Sequence, residues 1–281
     1  MAGLPAPILR IARYFSGGKM IRSRLMREVG DELGAKRRDL ILPAAILELV
    51  HTTTILHDDV IDLAASRRGE TTVHTRFQGQ TAVFAADLLF SICMGRLSEL
   101  GRPGLERDFH EKIQLVCRGE IFQDLHAKME APLSTEACLK VAREKTGGLF
   151  ALSWLTPGYA TSQSEETIAW LGKAGFAQGT VFQLMDDVRD LATDSRKEGS
   201  TGFRHWTLGS VVWNREDPKS FSDFVNGKME APPEPIQKHV RETLTRQSFD
   251  LRDEVVKETP AGMEALAGLF SSQIEGLVTA V

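Results

Sequence analysis

Leu40–Asp62 reads LILPAAILELVHTTTILHDDVID. Its apolar residues recur at three- and four-residue spacing, the period of one face of an α-helix. The stretch then ends on acids: Asp58 and Asp62 stand four apart, on one helical face, with Asp59 beside them. A second stretch ends the same way. Glu165–Leu191 keeps the helical period and closes on Met185-Asp186-Asp187-Val188-Arg189-Asp190, where Asp186 and Asp190 repeat the spacing. The two DDxxD segments lie roughly 130 residues apart, too far for a short-period solenoid.

Like charges at that spacing repel, and a helix C-terminus disfavours negative charge. Two helices that carry the same double cost imply compensation by a bound cation. Clustered carboxylate oxygens suit magnesium, which keeps several waters and is shared with substrate phosphates. A solvated acidic helix end is the ordinary reading of one DDxxD; two of them, each after an apolar helix, favour the cation. Calcium fits poorly, because no EF-hand loop is present.

Outward from these two stretches, Thr81–Leu100, Leu105–Ala127 and Thr135–Leu155 also show the helical period. Breakers fall between them: Gly101, Pro103 and Gly104; Pro132; Pro157 and Gly158. Pro232 to Ile236 sets off a C-terminal pair, Ile236–Glu258 and Ala261–Thr279, while the polar segment Thr193–Gly202 reads as a loop. No alternating strand pattern with hairpin turns is visible. No linker rich in Gly, Ser or Pro divides the chain. The 281 residues, 42% hydrophobic, suffice for one large core or two smaller ones. One all-α domain over residues 1–281 is therefore expected.

The formal net charge of −4 gives no reason to expect nucleic acid, which favours a basic face. Cys93, Cys117 and Cys138 are odd in number, widely spaced and without a CxxC, so neither a disulfide framework nor a zinc site is expected, and the cytoplasm is the expected compartment. The first fifteen residues lack an apolar core with a cleavage site. No later run reaches the ~20 apolar residues that span a bilayer, so no transmembrane segment is expected.

A phosphate-bearing partner of the magnesium would need local positive charge. Gly17-Gly18-Lys19-Met20-Ile21-Arg22 is a glycine pair leading into a helix, with Lys19 and Arg22 one turn apart, and helix N-termini suit phosphate. Arg67-Arg68-Gly69 follows the first aspartate motif, and Lys145-Thr146 precedes an apolar run. Singly, each also reads as an ordinary turn or solvated loop. His51 lies two helical turns before Asp58 and shares its face.

Taken in order, these residues resemble the trans-isoprenyl diphosphate synthases, the polyprenyl synthetase family. The resemblance runs from about Gly17 to Thr207: GGKxxR at Gly17–Arg22, His51 ahead of Asp58–Asp62, and then Arg67-Arg68-Gly69. Ala86-Asp87-Leu88-Leu89 is similar to a GDxL segment, and Glu120 and Gln123 to GExxQ. Lys145-Thr146 and Phe182-Gln183-Leu184-Met185-Asp186-Asp187 follow. The resemblance implies a helical bundle around a central cavity and a homodimer. It implies condensation of an allylic diphosphate with isopentenyl diphosphate to a linear polyprenyl diphosphate. Asp58, Asp62 and Asp186 are implied as ligands of about three magnesium ions, with Asp59, Asp187 and Asp190 in support. Arg67, Lys145 and Gln183, with Thr146 beside them, are implied to hold the allylic diphosphate, and Lys19, Arg22, His51 and Arg68 the isopentenyl diphosphate. The leaving diphosphate is implied to take the proton lost from the coupled product.

The chain departs from the family pattern after Asp190. Lys197 stands for a first lysine; a second is missing, with Arg204 or His205 nearest, and Gly209 replaces a proline. Met20 and Ser23 also replace an expected Arg and Pro. Thr53 and Thr54 are small where a bulky residue would stop chain growth, which points to a product of C20 or longer, with Ala85, Leu88, Leu89 and Phe90 as the next walls. Two other readings stand beside condensation. A class I terpene cyclase would share the helices and the magnesium without needing Lys19, Arg22, His51 and Arg68 together. A non-catalytic subunit would be expected to lose an aspartate motif.

Overall fold

A computed structural model describes residues 18–67, 69–127, 132–192 and 206–281. In chain order the helices are α1 (Ile21–Glu32), α2 (Arg37–Ile61), α3 (Val73–Phe77), α4 (Gly79–Ser98), α5 (Pro103–Ala127) and α6 (Thr135–Ala142). They continue as α7 (Gly148–Ala160), α8 (Glu165–Ala192), α9 (Leu208–Glu216), α10 (Pro218–Val225), α11 (Glu234–Lys257) and α12 (Glu264–Thr279). The all-α class expected from the periodicity is what forms. A π-turn, Arg143–Gly147, joins α6 to α7.

The centre of the fold is α7. Every residue from Gly148 to Gly158 is buried, and α1, α2, α5 and α8 all pack on it. A helix apolar on all sides has to lie inside. Its closest neighbour is α8. A Cβ added at Gly175 would stand 2.5 Å from the Cα of Ala151, so the two backbones touch where a side chain would hold them apart. Trp154, with its ring edge-on to Trp170 and to Phe270, ties α7 to α8 and α12. Its indole N–H donates to Gln178 Oε1 at 2.7 Å, which satisfies a polar atom that burial would otherwise leave unpaired. On the other side, α2 and α4 pack together through Leu56, Ala82, Ala85, Ala86 and Leu89.

Three expectations need correction. Thr135–Leu155 is not one helix: the π-turn interrupts it, and α7 runs past Pro157 to Ala160. A proline inside a helix costs about 3 kcal/mol, but each fully buried Leu, Phe or Trp returns about 1.5–3 kcal/mol, so the packing of Leu149, Phe150, Leu152, Trp154 and Leu155 outweighs the break. Secondly, α1 begins at Ile21, because Met20 takes a left-handed conformation (φ 50°). Lys19 therefore precedes the helix instead of lying one turn before Arg22 within it. Thirdly, a short antiparallel ladder pairs β1 (Ser66–Arg67) with β2 (Glu70–Thr71), turned at Gly69 (φ 81°). Two residues per strand are too few to show alternation in sequence.

Both long apolar helices near the first motif, α2 and α4, have the length and hydropathy of a membrane span. A search for an unbroken apolar run passes over them, because charged and polar residues interrupt both. Here they pack against each other and carry buried residues on the facing sides.

Candidate active site

The two aspartate motifs occupy equivalent places. Asp58 and Asp59 lie in the last turn of α2 and Asp62 at its C-cap; Asp186, Asp187 and Asp190 lie in the last two turns of α8. Asp59 is buried and accepts a hydrogen bond from Arg67 Nε at 2.6 Å. The hairpin thus folds its arginine back onto the helix that precedes it. Burial raises the Asp58 carboxyl to about 6, and the nearby Glu120 and Asp62 push it the same way, against Lys145 and Arg67. Asp187 is buried too, and burial raises it to about 7; Gln183 and Lys145 oppose this, while Asp190 and Asp186 add to it. Asp186 faces Arg189 Nη1 at 3.6 Å.

Lys145 is a cation common to both motifs, since its charge lowers both Asp58 and Asp187. It projects from the π-turn. Its Nζ stands 2.8 Å from Glu120 Oε2 and donates to Gln123 Oε1 at 2.9 Å, both on α5. The next residue continues the network. Thr146 Oγ1 donates to Gln183 Oε1 at 2.6 Å, and Gln183 Nε2 donates to Asp187 Oδ1 at 2.9 Å. A relay therefore runs from the π-turn to the second motif. A π-turn adds one residue to a helical turn and is frequent at functional sites, since it re-aims side chains.

Arg22 lies in the first turn of α1, with its guanidinium over the Phe150 ring at 5.2 Å from the centroid. Its Nε is buried and has no hydrogen-bond partner among the described residues. Burial lowers its pKa to about 10, with Glu48 acting against the shift. An orphaned guanidinium N–H is costly unless an anion meets it. Glu48 is a residue that sequence reading passed over. From α2 it accepts a hydrogen bond from the Ser23 N–H at 2.9 Å, at the start of α1, where the helix dipole favours a carboxylate. His51 lies one turn further along α2 and is half-buried, while Lys19 is exposed. Arg68, Gly17, Lys197, Arg204 and His205 lie outside the described residues.

Contacts between elements complete the site; Asp87 and Gly119 belong to the GDxL-like and GExxQ-like segments, while His57, Arg118 and Glu144 carried no sequence signal. His57 Nε2 lies 3.3 Å from Asp87 Oδ1, which bridges the first motif to α4. Arg118 pairs with Glu144, and Gly119 lies against the π-turn backbone. Their spacing, about 26 residues from partner to partner, has no helical or turn meaning.

The donor chemistry fits magnesium. Among the described residues no three His, Cys, Asp or Glu groups converge enough to hold an ion alone. Magnesium seldom asks for that, since it binds through one or two carboxylates together with phosphate oxygens and water. Asp58 and Asp187 are raised first by burial and then by neighbouring carboxylates, and a divalent cation at these helix ends would favour their ionised forms.

The family model for polyprenyl synthetase matches residues 6–203. The octaprenyl diphosphate synthase of Escherichia coli is 28% identical over 183 residues, 65% of this chain and 56% of that protein. A prenyl transferase of Porphyra purpurea is 30% identical over 241 residues, 83% of this chain and 68% of that one. In fold, the decaprenyl diphosphate synthase of Rhodobacter capsulatus superposes with a TM-score of 0.79 at 22% identity, covering 99% of this chain and 92% of that one. The chain thus spans little more than half the length of the Escherichia coli relative. With the matched region reaching from ahead of α1 to beyond the second aspartate motif, the chain belongs to the polyprenyl synthetase family.

Proposed function

We propose that this chain is a magnesium-dependent trans-prenyltransferase that condenses an allylic diphosphate with isopentenyl diphosphate to a linear product of C20 or longer. The observation that carries the reading is the network at the π-turn, where Lys145 Nζ lies 2.8 Å from Glu120 Oε2 and Thr146 is linked through Gln183 to Asp187 of the second motif at 2.6 and 2.9 Å. One diphosphate set beside Lys145 would then face both acidic helix ends. Arg67, Lys145, Thr146 and Gln183 bind the allylic diphosphate; Lys19, Arg22, His51 and Arg68 bind isopentenyl diphosphate. Asp58, Asp62 and Asp186 hold about three magnesium ions, supported by Asp59, Asp187 and Asp190. When bound, magnesium neutralises charge on the leaving diphosphate. Arg67 and Lys145 add to that stabilisation as the C–O bond breaks. The isopentenyl double bond attacks the allylic cation, and the released diphosphate takes the proton lost from the coupled product. No protein nucleophile takes part.

Chain length follows from the walls below the first motif. Thr53 is buried and folds its hydroxyl onto the Val50 carbonyl at 2.7 Å, while Thr54 does the same onto His51 at 2.8 Å. Both are small residues, and neither is the bulky side chain that would stop chain growth. The test is incubation with magnesium, isopentenyl diphosphate and each allylic primer, with products identified by mass. Linear products longer by C5 steps, reaching C20 or beyond, are the expected result. A cyclic hydrocarbon made from primer alone would move the assignment to a terpene cyclase.

The chain works as a single domain over residues 1–281 and as a homodimer, in the cytoplasm. Support for the dimer comes from apolar side chains left exposed on α4 and α5: Phe84 at 72%, Ile121 at 61% and Leu125 at 57%. Sedimentation equilibrium is expected to give twice the 31.1 kDa chain mass, and F84E to shift it towards the monomer. A monomer at micromolar concentration would refute this. Support for the compartment is the three free cysteines, two of them buried.

A further inference from the structure

Three successive residues of α5 each contact the π-turn in a different way. The Arg118 guanidinium donates to both oxygens of Glu144, from Nε to Oε2 at 3.2 Å and from Nη2 to Oε1 at 2.5 Å. Gly119 brings the backbones together, since a Cβ there would lie 3.0 Å from the Lys145 nitrogen and 3.1 Å from the Glu144 Cβ. Glu120 then reaches the Lys145 ammonium at 2.8 Å. Glu144 has a side chain only 8% exposed, and Arg118 is its one ion-pair partner among the described residues. A bidentate pair fixes angle as well as distance, so it sets how the π-turn is rotated against α5.

We infer that Arg118 and Glu144 form a latch that positions Lys145 and Thr146, and so set the geometry of the diphosphate site without touching the substrate. The inference rests on the proposed prenyltransferase reading. Lys145 and Thr146 are adjacent in sequence, yet one must point to α5 and the Asp58 side and the other to Gln183 on α8. Only a defined rotation of the π-turn allows both. On the far side that rotation is limited by the backbone contact of Gly147 with Gly179. Near the acids it is set by Glu144, which is buried one residue before the shared cation.

The test compares R118M, E144Q, the double variant R118M/E144Q and R118K with the parent. Each single variant is expected to raise the allylic KM by about tenfold or more while the isopentenyl KM stays within about twofold, because displacement of a positioning group acts on the site it serves. The double variant is expected to be no worse than R118M, since removing the buried charge relieves the carboxylate that R118M leaves unpaired. R118K is expected to recover part of the loss. Allylic KM unchanged in both single variants would overturn the latch. So would a general loss in which both KM values and the thermal midpoint move together. Should the parent make no prenyl product, the prenyltransferase reading falls by itself. Calorimetric titration of the same variants with magnesium and inorganic diphosphate then decides the latch: about tenfold weaker binding in R118M supports it, and unchanged binding overturns it.

Discussion

Replacing Asp58 by Asn lowers prenyl transfer by about three orders of magnitude and, in the metal-free protein at neutral pH, raises the thermal midpoint. The two effects have one origin. Burial, with Glu120 and Asp62 nearby, raises the Asp58 carboxyl from 3.8 to about 6. The native state therefore holds that proton more tightly than the unfolded chain does. In the window between those values the native protein binds more protons, so stability falls as pH rises and is lowest once Asp58 is ionised. Asp187 behaves alike, with a window that extends to about 7. An acid kept at a cost to stability is an acid kept for a ligand. Thermal melts of parent and D58N from pH 4.5 to 7.5, without magnesium, measure this directly. The midpoint difference is expected to open in favour of D58N up to about pH 6 and then stay level. Magnesium with inorganic diphosphate is expected to restore the parent and not the variant, because binding to the native state alone stabilises it. D58N that keeps more than about a tenth of the activity, or a midpoint difference independent of pH, would refute the assignment.

Much of this site was legible in the residues, for a physical reason. Asp58 and Asp62, like Asp186 and Asp190, are local pairs on single helices, and local spacing encodes a shared face. Arg67 was equally readable, because a turn only a few residues long has to leave it near the helix it follows. What sequence could not show are contacts made by three-dimensional packing. Glu48 touches the start of α1 from α2, Glu144 meets Arg118 across two elements, and His57 meets Asp87 across two more. None of these pairs has a diagnostic spacing. The π-turn was also hidden, because inserting one residue leaves the apolar period on either side intact; the run Thr135–Leu155 reads as one helix although its two halves are out of phase. The break comes at Lys145, where the site needs a side chain re-aimed.

Lys145 supplies the second large effect. K145M is expected to lose roughly 10²–10³-fold in kcat/KM for the allylic substrate, the usual loss when one preorganised charge is removed from a developing anion. The shape of the pH profile is more informative than the size of the loss. On the proposed reading, metal binding at Asp58, with Asp187 in support, would need both carboxyls deprotonated, so their titration is expected to set the acid limb of activity. Lys145 lowers both groups; removing it lets burial and the neighbouring acids push them further up. The acid limb of K145M should therefore move to higher pH, and its deficit should narrow as pH rises. E120Q should do the reverse. Glu120 raises Asp58 and also holds the Lys145 ammonium at 2.8 Å, so its neutralisation lowers Asp58 and frees the cation. The acid limb then moves to lower pH. Profiles of kcat/KM between pH 4.5 and 9 for the two variants separate the possibilities. Opposite shifts mean that Lys145 and Glu120 act as counterweights on one carboxylate cluster. Shifts in the same direction, or none, would mean that the acid limb belongs to a group outside this cluster, and Lys145 would keep only a binding role.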